Sequence, residues 1–97
     1  LYVCNNGGFE WTTMDGLTIP GHAAPDYTTG RIERIDIATG RVERLYDSFE
    51  GRRLSGPNDI VFDADGGFWF TDLGKHFEHH TDNGGLYYAT PDGRTLR

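Results

Sequence analysis

Residues Leu54 to Asp72 read LSGPNDIVFDADGGFWFTD: a loop, a strand, a tight turn and a second strand. Ile60-Val61-Phe62 and Phe68-Trp69-Phe70 are short runs without a polar residue. Such runs suit strands buried on both faces. Asp63-Ala64-Asp65-Gly66-Gly67 between them is a turn signal, because Asp-Gly supplies the positive φ that a hairpin needs. Folding the pair about Asp65-Gly66 sets residues whose numbers sum to about 130 opposite each other. Asn58 and Asp59, entering the first strand, then face Thr71 and Asp72, leaving the second. A dry hairpin thus carries an amide and two carboxylates at one end, a rigid stem with a polar rim.

The remainder of the chain falls into similar units. Leu1-Tyr2-Val3-Cys4 reads as a strand running into Asn5-Asn6-Gly7-Gly8. Residues 9–29 read as a long polar loop holding Trp11, Met14 and His22, of a length that often carries function. Gly30 to Ile37 and Val42 to Tyr46, with the turn at Thr39-Gly40, make a second hairpin. Asp47 to Pro57 is a connection, and Gly74 to Gly85 is a second loop, with His76, His79 and His80. Leu86-Tyr87-Tyr88-Ala89, Pro91-Asp92-Gly93 and Thr95-Leu96 begin a third hairpin. The chain opens in strand-like sequence without a Met and closes as another strand starts, so it is expected to be a piece of a longer protein.

This order contains a repeat. Leu1–Gly7 lies over Phe68–Gly74 at an offset of 67, Gly30 over Gly84 at 54, and Gly40 over Gly93 at 53. A period near 50 residues with four strands is the mark of a propeller blade. The expected fold is all-β, with residues 1–47 as the later strands of one blade and 48–97 as most of the next. An ordinary β-sandwich is the plainer alternative. Antiparallel order brings Asn58, Asp72, Asn5, Asn6 and both long loops to one mouth, and leaves plain turns at the other. The elaborated mouth is the expected binding face.

Composition narrows the partners. A net charge of −6 excludes a nucleic-acid backbone as ligand, since that needs a basic face. No apolar run approaches the ~20 residues that span a bilayer. Cys4 is the sole cysteine, so no internal disulfide forms. A reducing compartment is compatible with that, and the cytoplasm is the expected location.

GPNDIVFDADGGFWFTD resembles the senescence marker protein/regucalcin/gluconolactonase family of six-bladed β-propellers, and so do LYVCNNGGF and GRIERIDIATGRVERLYD. The resemblance implies a hydrolase acting on lactones, with a divalent metal, usually calcium, in the central tunnel. A hard cation prefers oxygen ligands and polarises the lactone carbonyl while a carboxylate helps water attack. Asn58 matches an inner-strand Asn that holds metal in some branches and substrate in others. Asp72 matches a strand-end acid found in the site of some lactonases, and is the candidate catalytic residue. Asn58, Asp59, Asp72 and Trp11, a candidate lid over the mouth, form the expected substrate-binding set. The early Glu and late Asp that complete the metal centre find no match here, so this piece alone is expected to be inactive. Related esterases or phosphotriesterases, and a non-catalytic sugar- or protein-binding propeller, are the alternative functions.

Each of these residues also has a plainer role. Asn58 could cap the strand entry through its own backbone, and Asp59 could tie down the loop. Asp72 could fix loops instead of doing chemistry, and Asn5 suits a structural role. The HFEHH run sits in a loop between glycines, so solvated histidines fit it better than zinc. Asp63-Ala64-Asp65-Gly66 begins like a calcium loop but has Phe68 at the sixth position and Gly74 at the twelfth, so it is a hairpin turn. Trp11 could simply pack its loop down, and Cys4 reads as an inert small hydrophobe.

Overall fold

The computed structural model describes residues 1–97, and it is all-β. It has no helix, and so none long and apolar enough to cross a membrane. Two three-stranded antiparallel sheets form its body. The first orders β1 (Tyr2–Asn5), β4 (Arg31–Ile35) and β5 (Val42–Tyr46) side by side. The second orders β12 (Gly85–Ala89), β9 (Phe68–Asp72) and β8 (Pro57–Phe62). β1 corresponds to β9 and β4 to β12, as the offsets require.

The central hairpin has the expected register. Ile60 pairs with Phe70, Val61 with Trp69 and Phe62 with Phe68. At the rim Asp59 pairs with Thr71 and Pro57 with Asp72, and the register shifts between them. Asn58 is therefore a bulge residue, a device that re-aims a side chain at a sheet edge. The turn is held by Asp63, whose carboxylate accepts from the backbone N–H of Asp65 (2.9 Å) and Gly67 (3.0 Å) and from the Tyr88 hydroxyl (2.9 Å).

The core lies between the two sheets. Phe68, Phe70, Ile32, Leu54, Tyr46 and Ala89 are its buried residues, with Tyr2, Cys4, Ile60 and Tyr87 packed around them. The Tyr2 ring meets Phe62 edge-on at 4.9 Å, and Phe70 stacks on Tyr87 at 5.1 Å. The Tyr46 hydroxyl crosses between the sheets and donates towards the carbonyls of Thr90 and Thr95.

Four expectations need correction. The apolar strands are not covered on both sides. Phe68 and Phe70 point into the core, but Val61 is 64% and Trp69 44% exposed, because only one face of this sheet meets another sheet. Residues 9–29 are not irregular throughout: β2 (Phe9–Met14) and β3 (Leu17–Ala23) pair as a hairpin, and only residues 24–29 are loop. Asp15 and Gly16 make its turn, both at positive φ (52° and 78°), the conformation of a tight hairpin turn. The loop after Asp72 likewise holds a short ladder, β10 (Lys75–His76) with β11 (Thr81–Asp82). A similar ladder, β6 (Ser48–Phe49) with β7 (Arg52–Arg53), interrupts the connection into the central hairpin. The third hairpin is begun by an Ala89–Leu96 bridge.

Candidate functional site

Asn58, Asp59 and Asp72 are gathered at one end of β8 and β9, but they do different things. Asp72 is turned inward and is 6% exposed. One of its carboxylate oxygens accepts from the backbone N–H of Gly56 and of Gly74, each at 2.7 Å. The other accepts from the Ser55 N–H, also at 2.7 Å. Both oxygens are thus committed to charge-assisted bonds, which are short and about twice as strong as neutral ones. An acid or base at this position would have to give up three buried amides. The geometry is that of a loop anchor, joining residues 54–56 to 72–74.

The chain is tightly threaded around that carboxylate. A Cβ on Gly56 would come 2.5 Å from the Gly74 carbonyl oxygen, and one on Gly84 would strike the Asp72 carbonyl. Glycine at these two places lets three backbone segments converge on one side chain.

Asn58 and Asp59 face solvent. The Asn58 side chain makes no hydrogen bond within the protein, so its amide is free to meet a ligand. Asp59 uses one oxygen on the N–H of its neighbour Ile60, at 2.9 Å, and the other is open. The Asp59 charge also reaches Cys4 on the adjoining strand. Burial first, and this charge second, push the Cys4 thiol up to about 11. Cys4 is therefore a protonated, unreactive thiol at neutral pH.

Trp11 stands on the exposed side of the β2–β3 hairpin, 62% accessible, with its ring edge-on to Phe9 at 6.0 Å. The hairpin itself is tethered to the anchor loop by Lys75, which escaped the sequence reading. Lys75 is 1% exposed. Its ammonium donates to the Asn6 carbonyl at 2.6 Å and lies 3.6 Å above the centre of the Phe9 ring and 4.8 Å from that of Tyr27. Burial lowers its pKa, with the nearby Asp72 carboxylate opposing the shift. The aromatic and carbonyl contacts hold the cation where water does not reach it. The only sequence signal for this was one lysine between a glycine and the histidine run, which is too common to interpret.

The histidines are occupied locally. His76 Nδ1 lies 3.2 Å from the Thr81 hydroxyl, and His80 stacks on Phe77 at 4.4 Å. No three His, Cys, Asp or Glu side chains come together as a metal-binding group. Asn58 and Asp59 can offer two oxygens and Asp72 none, whereas calcium takes six to eight. The donors of these 97 residues do not fit a complete calcium centre.

Comparison with known proteins agrees with the architecture. Residues 1–97 match the family described as SMP-30/Gluconolactonase/LRE-like region. A gluconolactonase of Zymomonas mobilis is 29% identical over 76 residues, covering 71% of this chain and 21% of that protein. The lactonase drp35 of Staphylococcus aureus is 49% identical over 41 residues, covering 40% of this chain and 11% of that one. The chain thus matches about a tenth to a fifth of the length of these relatives. With the family matched from the first residue to the last, and with paired antiparallel sheets of the kind its β-propellers are built from, the chain belongs to the SMP-30/gluconolactonase/LRE-like family.

Proposed function

We propose that the protein forms part of a six-bladed propeller that hydrolyses lactones, with residues 1–47 and 48–97 in successive blades. The observation that carries this reading is the division of labour at the β8–β9 rim. Asp72 rigidifies the entry loop, while Asn58 and Asp59 present free polar atoms on the bulge it supports. A site built this way loses little energy to reorganisation when a polar substrate arrives.

In this reading the Asn58 amide orients the lactone by donating to one of its oxygens. The open Asp59 oxygen accepts from a substrate hydroxyl. Asp72 is a positioning residue that keeps both in place. The names of the relatives, a gluconolactonase and a lactonase, support a small lactone as substrate. Calcium belongs to the reading only with oxygen donors from other blades, since this chain offers too few.

Lactone hydrolysis by the protein and by Asn58→Ala tests the reading. Loss of one oriented donor costs on the order of a hundredfold in kcat/KM. Turnover unchanged in the variant would remove Asn58 from the site. An absence of lactone turnover in the complete ring would overturn the reading itself.

A further inference from the structure

Behind the Asp72 anchor lie two adjoining clefts, of about 310 Å³ and 240 Å³, which share Arg52, Arg53 and Asn83 as walls. Together they reach the size of a small-ligand site. Their two ends differ. One end is lined by polar side chains alone, with Thr81, Ser55 and Asp82 beside the arginines. The other end is walled by Phe49 and Tyr87, whose rings meet edge-on at 5.4 Å, and holds Glu50.

The two arginines are not equivalent. Arg53 is fixed: its Nε and Nη2 donate to Asp82 at 3.3 and 3.2 Å, its Nη1 donates to the Thr28 carbonyl at 3.3 Å, and its Cζ lies 5.2 Å from the centres of the Tyr27 and Phe77 rings. Arg52 is exposed and has no carboxylate partner, so its five donors are available. The polar end therefore has two guanidinium groups against one carboxylate, Asp82. The aromatic end carries the one carboxylate of the cleft that has no partner, Glu50, since Asp82 is bonded to Arg53 and Asp72 has its charge committed to three amides.

We infer that this cleft is a binding site for a small polyhydroxylated carboxylate, a sugar acid, distinct from the Asn58 rim. The ligand carboxylate would pair with the Arg52 fork. Its hydroxyl groups would meet Asn83 and donate to Glu50, and its C–H face would rest on Tyr87. Planar, bidentate recognition of a carboxylate is what an unpaired arginine does best. An uncharged sugar lacks the group Arg52 calls for, and bare phosphate lacks the hydroxyls and the apolar face that the other end accommodates. This inference goes beyond the lactonase reading and does not require it, because the test measures binding without turnover.

The test is calorimetric titration of the protein with gluconate, with glucose and inorganic phosphate as comparison ligands. Gluconate is expected to bind saturably; glucose is expected to bind at least about tenfold more weakly, the value of one charge-assisted pair, and phosphate at least about tenfold more weakly for want of the hydroxyl and Tyr87 contacts. Arg52→Ala should lose at least about tenfold in gluconate affinity, Arg52→Lys should be intermediate, and Arg94→Ala, on a distant exposed turn, should match the natural protein. Thermal melts of each variant verify folding, and the partial recovery in Arg52→Lys separates lost recognition from lost structure. Gluconate affinity unchanged in Arg52→Ala would overturn the proposal. So would equal binding of glucose or phosphate, or no saturable gluconate binding at all.

Discussion

Asp72 concentrates more buried polar bonding than any other side chain of the protein, and its replacement should show it. Asp72→Ala leaves the N–H groups of Ser55, Gly56 and Gly74 without their acceptor in a closed place. Each orphaned buried donor costs on the order of 1–3 kcal/mol, less whatever relaxation and water recover. A net loss of about 3–5 kcal/mol is expected, read as the shift of a urea unfolding midpoint. Asp72→Asn should fall between, because its oxygen can still accept while its NH2 opposes an N–H. If Asn equals Asp in stability, the charge is not what holds the loops. Asp72 also marks the limit of sequence reading at this scale. Its position at the strand end follows from the hairpin arithmetic, but whether a strand-end carboxylate faces a ligand or its own backbone depends on where the glycines bring the loops. Cys4 gives a prediction of the opposite kind. The fold keeps its proton longer than the unfolded chain does, so the unfolded state binds fewer protons above the ordinary thiol value near 9.0. Its contribution to stability is present below that pH and is lost as the pH rises towards about 11. Cys4→Ala should flatten that part of the alkaline stability curve, although the vacated volume lowers the curve at every pH. An alkaline decline identical in the variant would mean that tyrosines alone produce it.

Among the elements, the β2–β3 hairpin shows why a local signal can be present and yet misjudged. Met14-Asp15-Gly16-Leu17 contains the Asp-Gly dipeptide used to identify the central turn. Its flanks, Phe9–Met14 and Leu17–Ala23, alternate only briefly, at Phe9 and Trp11 and at Leu17 and Ile19, before threonine, proline and glycine break the period of two. The hairpin is mostly solvent-exposed, and an exposed ribbon has no buried face to write an alternating pattern into the sequence. Lys75 helps to attach it, held between Phe9, Tyr27 and the Asn6 carbonyl. Lys75→Met keeps most of the side-chain volume but removes the charge and the hydrogen bond. We expect amide exchange across β2 and β3 to quicken by about tenfold, consistent with a loss near 1.4 kcal/mol, while β8 and β9 keep their protection. Protection of β2 and β3 unchanged in the variant would show that the lysine does not tether the ribbon. The central hairpin, by contrast, was legible from Asp59 to Thr71, and only the bulge at Asn58 was not. Asp63 through Gly67 could only turn, and the apolar runs on either side fixed one register.

For the whole molecule, the repeat was readable because it preserves the order of strand, loop and turn. The covering of each sheet was not, because a strand flanked by two sheets and a strand flanked by one can carry the same apolar run. On the uncovered face of the second sheet Val61, Trp69 and Leu86 line a shallow depression of about 100 Å³ with Asp59 and Thr71 at its polar edge. A propeller places another blade against such a face, and burying each large apolar side chain there is worth roughly 1.5–3 kcal/mol. Two consequences differ in sign and can be measured on one pair of substitutions, Val61→Lys with Leu86→Lys. In the 97-residue chain by itself the exposed face and open strand edges favour self-association. The double variant should stay monomeric at concentrations where the unchanged sequence forms larger species in light scattering. Within a closed ring the same substitutions put two ammonium groups between packed sheets, and the ring should lose on the order of 3–6 kcal/mol or fail to close. A ring that tolerates both lysines without loss would mean that no sheet covers this face, and the blade arrangement proposed for residues 48–97 would have to be abandoned.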